Sequence, residues 1–136
     1  GWMNADAGTL LRYRQEIGSE VRVFCDVQKK HSAHAVSADL SLSDWIDTAK
    51  FCGADGVVVT GRMTGHAPDA GALETLRNSP CPVFIGSGVT PDNVSAYYGV
   101  AHGLIVGSFL KESGHWTQPI SASRALEMRK AVDTLT

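Results

Sequence analysis

The sequence predicts an α/β fold built on a parallel sheet, and three observations point to it. Short apolar runs bounded by glycine or proline, Val57-Val58-Val59, Val83-Phe84-Ile85 and Leu104-Ile105-Val106, have the pattern of strands covered on both faces. Stretches of helical spacing separate these runs, so strand and helix alternate along the chain. The alternation continues through all 136 residues without a linker or low-complexity stretch, which places residues 1–136 in a single domain.

Taken in order, Leu10, Leu11, Tyr13 and Ile17 interleave with Arg12, Arg14 and Glu16, which predicts a helix over 4–17 ended by Gly18. Val21 to Val27 alternates as a strand. If the backbone stays extended beyond it, Asp26, Gln28 and Lys30 share one side. Residues 31–42 lack periodicity, after which Ser43 is expected to cap a helix over 44–51 that Gly53 terminates. Gly56 to Gly61 is the second strand, 62–69 a loop, and Leu73 and Leu76 mark a helix over 70–78. The third strand starts after Pro82. Thr90 is expected to cap the next helix, with Pro91 at its first position, where the missing N–H costs nothing. A fourth strand over Leu104 to Val106 and a loop over 111–119 lead to a last helix that starts at Ser121 or Ser123. That helix carries Leu126, Met128, Ala131 and Leu135.

The order is a helix followed by four βα units, half of the eight in a (β/α)8, or TIM, barrel. Right-handed crossovers collect the loops after the strands on one face. A (βα)4 sheet leaves two edges and one apolar face uncovered, so the chain is expected to need the missing half-barrel or a homo-oligomeric partner.

With 43% apolar and 19% charged residues the chain can bury a core, and it is not disordered in composition. A net charge of −2, with the twelve basic residues scattered, gives no footprint for nucleic acid. No apolar run reaches the roughly 18 residues needed to span a bilayer, so no integral membrane segment is expected. Cys25, Cys52 and Cys81 are odd in number, show no C-x-x-C spacing and sit in or beside apolar segments. They predict reduced thiols in a cytoplasmic compartment, or an organelle if an upstream transit peptide exists.

The chemistry concentrates at the strand ends. Gly86-Ser87-Gly88 and Gly107-Ser108 each follow an apolar run, and their glycines allow backbone N–H groups to approach an anion while the serines add hydroxyl donors. Two such loops beside one another form a candidate phosphate site. Asp26, Lys30 and His31, at and after the end of the first strand, are the catalytic candidates: a lysine there can pair with an anion, act as a base or form an imine, and a carboxylate can orient it. An Asp–Lys ion pair of purely structural character is the competing reading. Gln28, Thr60 and Gly61 are candidates for further ligand contact. His31 and His34, with His66, His102 and His115 elsewhere, match no metal-ligand spacing, and no metal site is expected. No cofactor is evident, although a magnesium ion carried by a phosphorylated substrate would need only Asp26 or another carboxylate and water.

With these residues in hand, LLRYR (Leu10–Arg14), VFCDVQKKHS (Val23–Ser32), DGVVVTG (Asp55–Gly61), VFIGSGVTPDNV (Val83–Val94) and GLIVGSFLKESG (Gly103–Gly114) together resemble the C-terminal half of the BtpA (BtpA/SgcQ-like) family, over essentially the whole chain. The family is similar to ribulose-phosphate-binding barrels, so the resemblance implies that four further strands lie upstream. Taken with the strand-end residues, the expectation is a metabolic enzyme acting on a small phosphorylated, sugar- or nucleotide-like molecule, its reaction class open among isomerase, lyase and glycosidic-bond chemistry. The alternative is a non-catalytic assembly or stabilisation factor, as the family's association with photosystem I biogenesis suggests.

Overall fold

The computed structural model describes residues 6–28, 37–60 and 70–136. Among them the order is α1 (Ala7–Glu16), β1 (Phe24–Val27), α2 (Leu42–Phe51), β2 (Gly56–Val59), α3 (Ala70–Arg77), β3 (Val83–Ile85), α4 (Val94–Tyr97), β4 (Gly103–Leu104) and α5 (Ala122–Asp133), with short 3-10 turns at Ser108–Leu110 and Glu112–Gly114. The strands pair in sequence order, all parallel, as one open sheet β1-β2-β3-β4. The α/β class and the half-barrel arrangement expected from the sequence are therefore found, and the sheet is not closed.

The two faces of the sheet differ. Val27, Val57, Val59, Val83 and Ile85 alternate onto the face that meets the helices, and Val57, Val83 and Ile85 have no exposure at all. Ile46 of α2, Leu76 of α3, Val94 and Tyr97 of α4 and Met128 of α5 complete this core. Phe24, Asp26, Val58 and Phe84 occupy the opposite face, where Phe24 remains 39% exposed. The strands are thus not covered on both sides. On this open face large residues sit over glycines: a Cβ at Gly56 would lie 2.6 Å from Phe24, and one at Gly103 2.5 Å from Phe84. The gaps let the two rings meet edge to face with centroids 4.9 Å apart.

Element ends differ from expectation in instructive ways. α2 is capped by Ser41, not Ser43: the Ser41 hydroxyl accepts from the Asp44 N–H while the Asp44 carboxylate accepts from the Ser41 N–H, a reciprocal capping box. Ser121 is the N-cap residue of α5 but makes no side-chain cap bond. β4 pairs over Gly103 and Leu104 and not on to Val106, although the Ile105 N–H still donates to the Ile85 carbonyl at 2.8 Å. β1 starts at Phe24 rather than Val21.

α1 is fastened at the N-terminal end of the sheet. Asp55, just before β2, accepts from Arg14 Nη1 at 2.8 Å and from the Val23 N–H at 2.7 Å, and Arg14 also reaches the Val21 carbonyl. The Val23 amide first, and then Arg14, hold the Asp55 carboxyl below its ordinary value. A depressed folded-state pKa contributes stability that is full above the unfolded value, about 4, and is lost as pH falls through the lowered one. Asp55→Asn should therefore be less stable than the parent at pH 7, with the difference shrinking below about pH 4. Urea midpoints at pH 7, 4 and 3 check this, and a difference independent of pH would show that the carboxylate's charge plays no part.

Candidate functional site

The parallel register brings the ends of β3 and β4 side by side, so the loops Gly86-Ser87-Gly88 and Gly107-Ser108 are neighbours at the C-terminal end of the sheet. In the first loop Gly86 donates to the Val59 carbonyl at 2.9 Å, which keeps it in the sheet. A Cβ at Gly86 would fall 2.4 Å from Thr60 Cγ2 and 2.6 Å from Val58 Cγ1, so the glycine is what lets the chain lie against β2. Gly88 has φ +72°, a left-handed conformation that favours glycine. The Ser87 hydroxyl lies 3.5 Å from the Thr60 carbonyl. The amides of Ser87, Gly88 and Val89 take no hydrogen-bond partner among the described residues.

Thr90 does not cap the following helix with its side chain. Its carbonyl accepts from the Asn93 and Val94 N–H groups, a turn that precedes the regular helix from Val94. Asn93 instead braces the loop from below: its Oδ1 accepts from the Thr90 N–H and its Nδ2 donates to the Gly88 carbonyl, both at 2.9 Å. The sequence reading missed Asn93. Its signal was the preference of Asx side chains for bonding nearby backbone in turns.

After β4, Gly107 opens a 3-10 turn, and the amides of Gly107, Ser108 and Phe109 likewise take no partner among the described residues. A Cβ on Gly107 would meet nothing within 4 Å. The excursion beyond it is well fastened. Lys111 and Ile120 form an antiparallel bridge, Ser121 donates to the Leu110 carbonyl at 2.8 Å, and Arg124 of α5 donates Nε to the Phe109 carbonyl while its guanidinium lies 4.3 Å from the Phe109 ring centre. Trp116, on the tip of this excursion, is 72% exposed and stacks on His115.

At the other end of the rim, Asp26 lies on the open face of β1, paired in register with Val58, which pairs with Phe84. The alternation that would carry this phase to Lys30 stops at Val27, because Gln28 turns into the left-handed region with φ +49°. The extended backbone expected at Gln28 is therefore corrected. Lys30 and His31 lie outside the described residues, as do Gly61, His34 and His66. Thr60 is half-buried at the end of β2, beside Gly86 and Ser87. Among the described residues no group of three or more His, Cys, Asp or Glu side chains could hold a metal ion. His102 pins the start of β3, since its Nδ1 accepts from the Val83 N–H at 3.2 Å and its own backbone N–H donates to the Val83 carbonyl. Cys25 and Cys81 are partly or fully buried as expected, whereas Cys52, at the end of α2, is exposed.

With this geometry stand the relatives. The chain is 41% identical to an uncharacterized mitochondrial protein of Caenorhabditis elegans over 99% of its own length and 49% of the relative's. It is 35% identical to an uncharacterized protein of Pyrococcus abyssi, over 99% of the chain and 51% of that protein. It is 36% identical to the photosystem I biogenesis protein BtpA of Synechocystis, over 91% of the chain and 44% of that protein. No solved structure matches it significantly. The chain spans about half the length of these curated relatives and corresponds to the C-terminal half of the full-length homologues. The family model of BtpA matches residues 1–134, and by that match, over a parallel sheet with the strand-end loops just described, the chain belongs to the BtpA family.

Proposed function

We propose that the chain carries the anion-binding side of a site for a small phosphorylated, sugar- or nucleotide-like molecule. The observation that supports this reading is the pair of adjacent loops whose Ser87, Gly88, Val89, Gly107, Ser108 and Phe109 amides have no partner among the described residues. Phosphate oxygens accept several such N–H groups at once, and Ser87 and Ser108 add hydroxyls. Gln28, Thr60 and Gly61 would contact the rest of the ligand. The test is thermal unfolding with inorganic phosphate, phosphorylated sugars and nucleotides, against their unphosphorylated counterparts. A ligand at 100 times its Kd stabilises by about 2.7 kcal/mol. Gly107→Leu should abolish the shift without lowering the stability of the free protein, because the space beside Gly107 is empty. An unchanged shift in Gly107→Leu sinks the reading.

On this reading the protein is a metabolic enzyme in which Asp26, Lys30 and His31 supply the chemistry opposite the phosphate anchor, as isomerase, lyase or glycosidic-bond catalyst. A magnesium ion accompanying the phosphate would need only the Asp26 carboxylate and water. Once a substrate is found, Lys30→Met should lower kcat by orders of magnitude with ligand affinity nearly unchanged, whereas Ser108→Ala should weaken binding first. Full activity of Lys30→Met would move the search to Asp26 and His31. A second reading, a non-catalytic assembly factor, is favoured by the name of the Synechocystis relative. It makes the opposite forecast, no response to any phosphorylated molecule. The proposed compartment is the cytoplasm or an organelle. The mitochondrial designation of the Caenorhabditis relative favours the latter, and among the described residues no helix is long and apolar enough to cross a membrane.

A further inference from the structure

Resting on the anion-site reading above, we propose that the excursion after β4 is the ring-selecting side of that site. Trp116 stacks on the heterocyclic base of a nucleotide whose phosphate sits at Gly107 and Ser108, which makes the ligand a nucleoside phosphate and not a plain sugar phosphate. Among the described residues the aromatic side chains that stand more than half exposed are Tyr13, Phe51, Tyr98 and Trp116. The first three lie on α1, at the last residue of α2 and at the C-cap of α4. In a parallel α/β sheet the helices run opposite to the strands, so the C-terminal ends of helices are remote from the strand-end loops. Of the four, only Trp116 belongs to the rim that carries the candidate site.

Both ends of its excursion are fixed at that rim. Gly107 leads from β4 into the Ser108–Leu110 turn, and Ser121 opens α5. Between them Lys111 is bridged to Ile120, and the Glu112 N–H donates to the Pro119 carbonyl at 3.0 Å. A 3-10 turn rises about 2 Å per residue, so Ser108–Leu110 and Glu112–Gly114 advance the chain by roughly 6 Å each and keep Trp116 within a ligand's length of the Gly107 loop. Ser113 and Gly114, with φ +51° and +72°, reverse the chain at the tip. The Gly114, His115 and Gln118 N–H groups donate to the Lys111, Glu112 and His115 carbonyls at 3.0, 3.2 and 3.0 Å. His115 Nδ1 lies 2.7 Å from Thr117 Oγ1, and its ring is inclined 26° to the Trp116 ring with centroids 6.1 Å apart. A tip bonded to itself at this density orders the indole before any ligand arrives, so little freedom is lost on binding. The two rings together offer a broad, flat aromatic surface. Every nucleobase has a π-face to lay on such a surface, whereas a sugar ring is puckered and hydroxylated.

The test is calorimetric titration of the protein with ribose 5-phosphate and with the four common ribonucleoside 5′-monophosphates, for the parent, Trp116→Ala and Trp116→Phe. The parent should bind at least one nucleotide about 5- to 150-fold tighter than ribose 5-phosphate, the range that base–aromatic stacking supplies. Trp116→Ala should bring this ratio near one, and Trp116→Phe should keep most of it. Both ligands meet the same folded protein, so neither lost folding nor a weakened phosphate contact moves the ratio. A ratio near one in the parent, or a ratio that Trp116→Ala leaves intact, would overturn the proposal and leave the anion site standing. No binding of any of these molecules or of inorganic phosphate would instead remove the anion site, and the proposal with it.

Discussion

Tyr97→Ala should cost about 3–5 kcal/mol, the range for removing a fully buried aromatic side chain, whereas Tyr98→Ala next to it should cost almost nothing. Tyr97 is 1% exposed and Tyr98 is 58% exposed. The difference matters because α4, at four residues, is far too short to form by its own propensity and depends on packing. Val94, Tyr97 and Val100 bury that segment, and the Tyr97 carbonyl accepts both the Val100 and Ala101 N–H groups as the chain turns toward β4. Gly99, with φ +71°, makes the reversal between them. Removing the ring leaves a cavity under the connection that sets β4 against β3, and so under the second candidate loop. For a chain of this size each kcal/mol shifts Tm by about 4 °C, so scanning calorimetry should show a loss of about 12–20 °C for Tyr97→Ala. Equal effects of the two substitutions would mean that the buried ring does not anchor α4.

What could be read from residues alone follows the reach of each physical signal. Apolar runs and their glycine borders report local strand burial, and they placed all four strands within a few residues. The capping box of α2 was also local: counting three residues from Ser41 reaches Asp44, a carboxylate able to return the bond, whereas Ser43 has no such partner. The clasp between Arg14 and Asp55 spans 41 positions and depends on how α1 meets the sheet, which no periodicity encodes. Tyr97 and Tyr98 are adjacent and chemically identical, so only the direction of a single helical turn decides which is buried. The candidate site divides in the same way. That its Gly-Ser loops are neighbours is legible, because each follows an apolar run and parallel strands paired in sequence order set their ends side by side. The turn at Gln28 was not legible, because a left-handed glutamine carries no compositional warning.

Gly86→Ala should destabilise the protein by about 2 kcal/mol through overpacking, and Thr60→Ser should return part of that loss. The added methyl would sit 2.4 Å from Thr60 Cγ2 and 2.6 Å from Val58 Cγ1, far inside contact distance. Both obstructing atoms belong to β-branched side chains with few rotamers to escape into, and the Gly86 N–H is tied to the Val59 carbonyl, so the backbone cannot retreat without losing a ladder bond. Thr60→Ser deletes the nearer of the two methyl groups and keeps the hydroxyl. Because Val58 Cγ1 remains, the double variant should recover only about half of the deficit, a coupling of about 1 kcal/mol in a double-mutant cycle. The same pair bears on binding. If Gly86 serves only to seat the loop on β2, Thr60→Ser should restore phosphate affinity to Gly86→Ala in step with stability. Strictly additive stabilities would show that the strand shifts to absorb the methyl. Restored stability with affinity still lost would place Gly86 against the ligand itself.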